Sequence, residues 1–182
     1  MSQQFIEGFR PSAEQLQEAT LKWASDRGII QNGKPITQMQ KLASEVGELM
    51  DNIAKNRDIK DDIGDCIVVL VNIAGIMKLD ISDSIRHIHM YEASSYVDLD
   101  RGEESLTILL NIGMLAQDIK NKDCSADMSS GIIDVVRALG WLVSTYKGFD
   151  LIDCWLHAYN DIKGRKGYLN ENGNFIKEGD VE

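Results

Sequence analysis

The 182-residue sequence predicts an all-α protein, a helical bundle, and three observations predict it. Its two prolines, Pro11 and Pro35, lie in the first fifth, so the strongest helix breaker is absent from everything after them. Apolar residues recur at helical rather than alternating spacing along each long segment. Where β-branched residues cluster, from Ile63 to Val71, the flanks continue the helical period and no turn residues divide the run.

The elements follow in order. Pro11 to Arg27 carries a stripe of Leu16, Ala19, Trp23 and Ala24, with Ser12 placed to cap the start. Gly28 to Pro35 reads as a loop. A helix capped by Thr37 buries Met39, Leu42, Ala43, Val46, Leu49, Met50 and Ile53 and ends near Asn56. The next runs from Lys60 to Met77 on Ile63, Cys66, Ile67, Leu70, Val71 and Ala74, and a fourth covers Ile81 to Met90 after a break at Lys78 to Asp80. Tyr91 to Glu104 is polar and aperiodic, as a connection would be. Trp141 and Trp155 fall in apolar stripes and read as core, and Met50, Met77 and Met90 as its filler.

The chain then repeats itself. Lys41–Asn56 set beside Thr107–Lys122 pairs Gly47 with Gly113, Leu49 with Leu115 and Ile53 with Ile119. With small shifts in the following loops, Asp65 meets Asp134, Leu79-Asp80-Ile81 meets Phe149-Asp150-Leu151, and His87 meets His157. The expected organisation is one domain over 1–182, with a repeat at 11–90 duplicated in degenerate form at 105–163. Residues 164–182, rich in Gly and Asn, are expected to form an extended tail turning at Asn172-Gly173.

A formal charge of −10 and a pI near 4.7 exclude general adhesion to nucleic acid or to anionic membranes, which would repel most of the surface. Cys66, Cys124 and Cys154 are odd in number and lack metal-ligand or CxxC spacing, so reduced thiols and a cytoplasmic setting are expected. The start MSQQFIEGF lacks the basic and apolar regions of a signal peptide, and the longest apolar run, Cys66 to Val71, is too short to span a bilayer.

The chemistry lies in carboxylates. Glu45 and Glu48 are three apart on one helix, with Lys41 one turn earlier on the same face. Asp62 and Asp65 repeat that spacing on the next helix, and the short Lys55–Lys60 link folds the two antiparallel. Four acids drawn together repel unless a cation compensates them, and Mg²⁺ or Mn²⁺ suits carboxylate oxygens. The other reading of each pair is a solvated helix face. Gly47 and Gly64, each between the two acids of a pair, offer room for a close neighbour or a ligand.

KLASEVGEL followed by KDDIGDCIVVL resembles the paired acidic motifs of the all-α NTP pyrophosphatases, specifically the MazG-like branch found in phage genomes and related to the dimeric dUTPases. WASDRGII and HAYNDIKGRKGYLNENGNFIKE also resemble those short phage proteins, and the likeness covers Leu21 to Ile76 and Ile152 to Lys177. It implies a helical core in which Glu45, Glu48, Asp62 and Asp65 bind Mg²⁺, with Mn²⁺ as a substitute. It further implies that water attacks the α-phosphorus of a nucleoside triphosphate, with Glu45 or Glu48 as general base, releasing the monophosphate and pyrophosphate. A deoxynucleotide substrate (dGTP, dUTP or dCTP) and a homodimer or homotetramer are the corresponding expectations. Asp62 stands where many relatives carry glutamate. In the second repeat the four acids correspond to Asn111, Met114, Gly131 and Asp134, so one working site per chain is expected.

Other residues have two readings each. Asn72, two turns beyond Asp65, holds a phosphate or sugar hydroxyl or is a satisfied helix polar group. Lys163, Arg165 and Lys166 balance pyrophosphate or cap a helix end. Trp23 stacks on a base or packs in the interior. His87, His89 and His157 share no short motif, and no P-loop, Rossmann glycine pattern or nucleophile elbow is present. The alternative function is a non-catalytic helical protein that binds nucleotide or a partner through a relic acid cluster.

Overall fold

Apolar periodicity without breakers yields eight helices and one small hairpin in the computed structural model, which describes residues 10–92, 100–122, 125–173 and 175–179, the side chains of 88–92 and 125–127 apart. The helices are α1 (Ala13–Asp26), α2 (Ile29–Asn32), α3 (Pro35–Ala54), α4 (Lys60–Met77), α5 (Ser82–Glu92), α6 (Arg101–Asn121), α7 (Ser125–Ser144) and α8 (Leu151–Ile162). Strands β1 (Gly167–Leu169) and β2 (Phe175–Lys177) pair antiparallel, with Tyr168 opposite Ile176. The fold class is the all-α one the periodicity predicts.

At the centre is α4. Apolar but for Asn72, its stretch from Cys66 to Ala74 has no polar face to turn to water and is buried without interruption. It packs against α3, α8, α1, α2 and α7. Its bounds, Lys60 and Met77, are those predicted, and so is the Ser12 cap of α1, which exchanges hydrogen bonds with Gln15. Trp155 is fully buried and donates from Nε1 to Thr20 Oγ1 at 3.0 Å.

Several expectations are corrected. The stretch after Gly28 holds the short α2, because Gly28 at φ 76° turns the chain and lets a new helical turn begin. The second long helix begins at Pro35, whose fixed φ suits a first helical position, so Thr37 lies inside it and donates its hydroxyl to the Asn172 carbonyl at 3.2 Å instead of capping. Helix α6 begins at Arg101, capped by Asp100 accepting from the Glu103 amide, so part of the expected connection is helical. The tail is extended and turns at Gly173 (φ 82°) as expected, its two strands pairing as a hairpin; an alanine Cβ at Gly167 would sit 2.1 Å from the Ile176 carbonyl oxygen, so glycine permits the pairing. Trp141 is 46% exposed, because the apolar stripe of α7 is wider than the core it faces. Cys66 and Cys154 are buried as read, while Cys124 and the side chains of His89 and Met90 lie outside the described residues.

The two halves contact one another in matching ways. Helix α3 packs on α4 as α6 packs on α7, α4 on α8 as α7 on α5, and α3, α4 and α5 each touch their counterparts α6, α7 and α8. The left-handed residues match too. Asn56 (φ 50°) and Lys122 (φ 57°) end α3 and α6 at aligned positions, and Lys78 (φ 59°) and Gly148 (φ 97°) precede α5 and α8 at aligned positions.

The glycines between the acids differ. A Cβ at Gly64 would lie 2.2 Å from the Cys154 carbonyl oxygen, so Gly64 is what lets α8 reach α4; at Gly47 a Cβ would meet nothing within 4 Å. Gly64→Ala is therefore expected to destabilise the chain by about 1–3 kcal/mol through forced separation of α4 and α8. Gly47→Ala should stabilise it by about 0.5–1 kcal/mol through helix propensity. Urea denaturation of the two variants reads both, and equal stabilities would refute the distinction.

Candidate active site

The seam between α3 and α4 is set by a short reversal. Ile59, fully buried, anchors the link; the Arg57 amide donates to the Asn52 carbonyl at 2.9 Å, and Asp58 accepts from the Lys60 amide at 3.0 Å to start α4. The apolar faces of both helices turn inward, which leaves the acid pairs along one edge of the seam.

Burial separates the four carboxylates. Glu45 is only 5% exposed and its carboxylate is paired with the Lys41 ammonium, whereas Glu48 is exposed. Asp62 accepts from Asn52 Nδ2 at 2.8 Å. Burial raises the Asp62 carboxyl above its usual range, the Asn52 hydrogen bond opposes that, and the charges of Asp61, Glu48 and Glu45 add to it. Asp65 is pushed up to about 7, by burial first and then by Glu45 and Asp61, while Arg165 and Lys41 pull it back. The buried Cys66 thiol is raised by desolvation and then by the negative charges of Glu45, Asp65, Asp62 and Glu48. All four acids thus act on the Cys66 thiol between them.

Of the residues proposed for substrate, Lys41 and Arg165 share this field with the acids. Asn72 is 3% exposed; its Nδ2 is 3.5 Å from Gln38 Oε1, and its Oδ1 is buried without a hydrogen-bond partner. Lys163 donates to Asn160 Oδ1 at 2.7 Å, and Lys166 is exposed beside the hairpin. Trp23 has the packing role. It is 5% exposed, lies edge-on to Phe175, has the Arg27 guanidinium 4.7 Å from its ring centroid, and donates to the Ile162 carbonyl at 2.7 Å. Arg27 in turn donates from Nε to the Arg165 carbonyl at 2.9 Å. Trp23 and Arg27 therefore hold the backbone that delivers Arg165.

Sequence reasoning missed Asn52 and Gln38. Asn52 is four residues beyond Glu48, and Gln38 is seven before Glu45, so helical spacing carried the signal for both. It also missed an exposed group of Asp61, His157 and Asp161, whose potential ligand atoms lie within 4.8 Å of one another. Only the packing of α8 on α4 brings His157 there, with Nε2 3.7 Å from Asp61 Oδ1.

The MazG nucleotide pyrophosphohydrolase domain matches residues 34–90 of this all-α bundle, the segment holding all four acids. Residues 34–90 are thus similar to the MazG domain. It is also 44% identical over 63 residues to an uncharacterized 18.2 kDa protein in the rep-hol intergenic region of Haemophilus phage HP1 (strain HP1c1), a match covering 34% of this chain and 39% of that protein. No solved structure matches. No helix among the described residues is long and apolar enough to cross a membrane.

The raised Asp65 has a directional consequence. Its folded-state value exceeds the unfolded one of about 3.9, so the folded chain binds the extra proton between about pH 4 and 7 and loses that stability as pH rises through the window. Thermal melts of the metal-free chain should show this loss, and Asp65→Asn should reduce the slope. Because a cation must displace the Asp65 proton, Mg²⁺ should raise the melting temperature more at pH 8 than at pH 6. An equal Mg²⁺ shift at both pH values would exclude Asp65 as a ligand.

Proposed function

We propose that this chain is a metal-dependent nucleoside triphosphate pyrophosphohydrolase that converts a deoxynucleoside triphosphate to the monophosphate and pyrophosphate. One observation carries the reading: within the MazG-matching segment, four carboxylates act on the buried Cys66 thiol, and burial, with the charges of Glu45 and Asp61, pushes Asp65 up to about 7. The donor set is all hard oxygen, which fits Mg²⁺ or Mn²⁺, and its charge is undercompensated in the way a divalent cation would correct.

Glu45, Glu48, Asp62 and Asp65 would hold that ion. When bound it neutralises phosphate charge and acidifies water for attack on phosphorus. The remaining roles belong to the chain. Glu45 is tied to Lys41, which leaves the exposed Glu48 as the general base of this proposal. Lys41 and Arg165 bring positive charge to the triphosphate edge of the seam. The unpartnered Asn72 Oδ1 is an acceptor, so it suits a sugar hydroxyl or base amino group rather than a phosphate oxygen. Asn52 orients Asp62. The setting of this reading is the cytoplasm of a phage-infected cell, where deoxynucleotide pools are remodelled.

One site per chain is part of the proposal. The matching helix neighbours and aligned left-handed residues support a duplication, and the second half retains only Asp134, which Arg137 neutralises. A panel of dNTPs and NTPs with Mg²⁺, assayed separately for pyrophosphate and orthophosphate, is expected to yield pyrophosphate. Release of orthophosphate with a diphosphate product would reject attack at the α-phosphorus. Glu48→Gln and Asp65→Asn should each lower turnover by about 100-fold or more with circular dichroism unchanged. Asp134→Asn should leave turnover intact. Full turnover in both acid variants would sink the assigned site.

A further inference from the structure

Asp61, His157 and Asp161 stand together outside the four-acid set. Asp61 lies in the first turn of α4, and His157 and Asp161 are four apart on α8, so they share one face of it. Close packing holds the three backbones in place. Gly64 is where α8 comes nearest to α4, its missing Cβ making room for the Cys154 carbonyl and the Ala158 side chain. Asp61 is three residues before Gly64, and His157 and Asp161 are three after Cys154 and Ala158, so all three flank that contact. Their potential ligand atoms lie within 4.8 Å of one another.

The spacing suits an ion better than an ion pair. His157 Nε2 is 3.7 Å from Asp61 Oδ1, too long for a hydrogen bond. It is close to the roughly 3.4 Å that separates two ligand atoms on a tetrahedral ion with bonds of about 2.1 Å. Among the described residues, no hydrogen bond takes up a ring nitrogen of His157 or a carboxylate oxygen of Asp61 or Asp161.

We propose that Asp61, His157 and Asp161 form a second metal site that takes a divalent ion of the Zn²⁺ class and staples α4 to α8. The imidazole is the deciding donor. Mg²⁺ prefers oxygen throughout, whereas Zn²⁺, Co²⁺ and Ni²⁺ accept nitrogen with oxygen. Two carboxylates balance the charge of the ion, and three protein ligands leave its fourth position to water. The other half of the chain lacks the set. By the offsets that align Asp65 with Asp134 and His87 with His157, Ser130 and Tyr91 stand where Asp61 and Asp161 do. His87 is therefore an internal control. This inference does not depend on the nucleotide chemistry.

Titration of the full chain with Zn²⁺, followed at the imidazole nitrogens by proton–nitrogen NMR, tests it, the His157 signal being identified by its loss in His157→Gln. That signal is expected to move at lower Zn²⁺ than the signal of His87, with Nε2 carrying the shift. Asp61→Asn and Asp161→Asn should each raise the Zn²⁺ needed by about tenfold or more, at least what loss of an outer-shell partner costs a metal site, with circular dichroism unchanged. In Glu48→Gln the response should persist, which separates this site from the four-carboxylate one. In that background Zn²⁺ should also raise the melting temperature, and adding Asp161→Asn should remove the rise, because the ion binds the folded arrangement. A His157 signal that stays still, or moves no earlier than that of His87, would overturn the proposal. So would a response unaltered in both aspartate variants, which would mean binding by the imidazole alone, or one abolished by Glu48→Gln.

Discussion

A helix buried on every side is the constraint from which the rest of this protein follows. Helix α4 is too apolar from Cys66 to Ala74 to expose any face, so neighbours must enclose it: α3 and α8 along its length, and α1, α2 and α7 around them. Closest approach falls at Gly64, where the missing side chain admits the backbone of α8 at Cys154. That contact fixes how near α8, and the segment carrying Arg165, comes to the first turns of α4.

Those first turns carry Asp62 and Asp65, so the enclosure that stabilises α4 also desolvates them. The charged form of a carboxylate loses most from burial, and neighbouring acids add repulsion. Stability alone would favour apolar residues there. Asn52 and Lys41 satisfy part of the demand, and the remaining cost is what the proposed cation would offset.

The two halves differ in charge. Matching helices put acids on the α3–α4 edge and, at aligned positions of α6 and α7, Asn111, Met114 and Gly131 with a single arginine-paired aspartate. With one paired aspartate, the second edge has little charge to compensate.

Local rules were legible in the chain itself. The bounds of α4, the cap at Ser12 and the facing acid pairs depend on neighbours within a few residues, where helical geometry leaves little choice. Asn52 and Gln38 were within reach of the same spacing argument. Trp23, Trp141, His157 and Arg165 were not, because their surroundings come from residues far away in the chain or from how wide a core the other helices leave. Spacing put four carboxylates on facing helices; packing decided that Glu45 is buried against Lys41, that Glu48 stays open, and that Asp65 is held up to about 7. Periodicity acts along a helix, whereas desolvation depends on everything that surrounds a group, and only the assembled bundle supplies those surroundings.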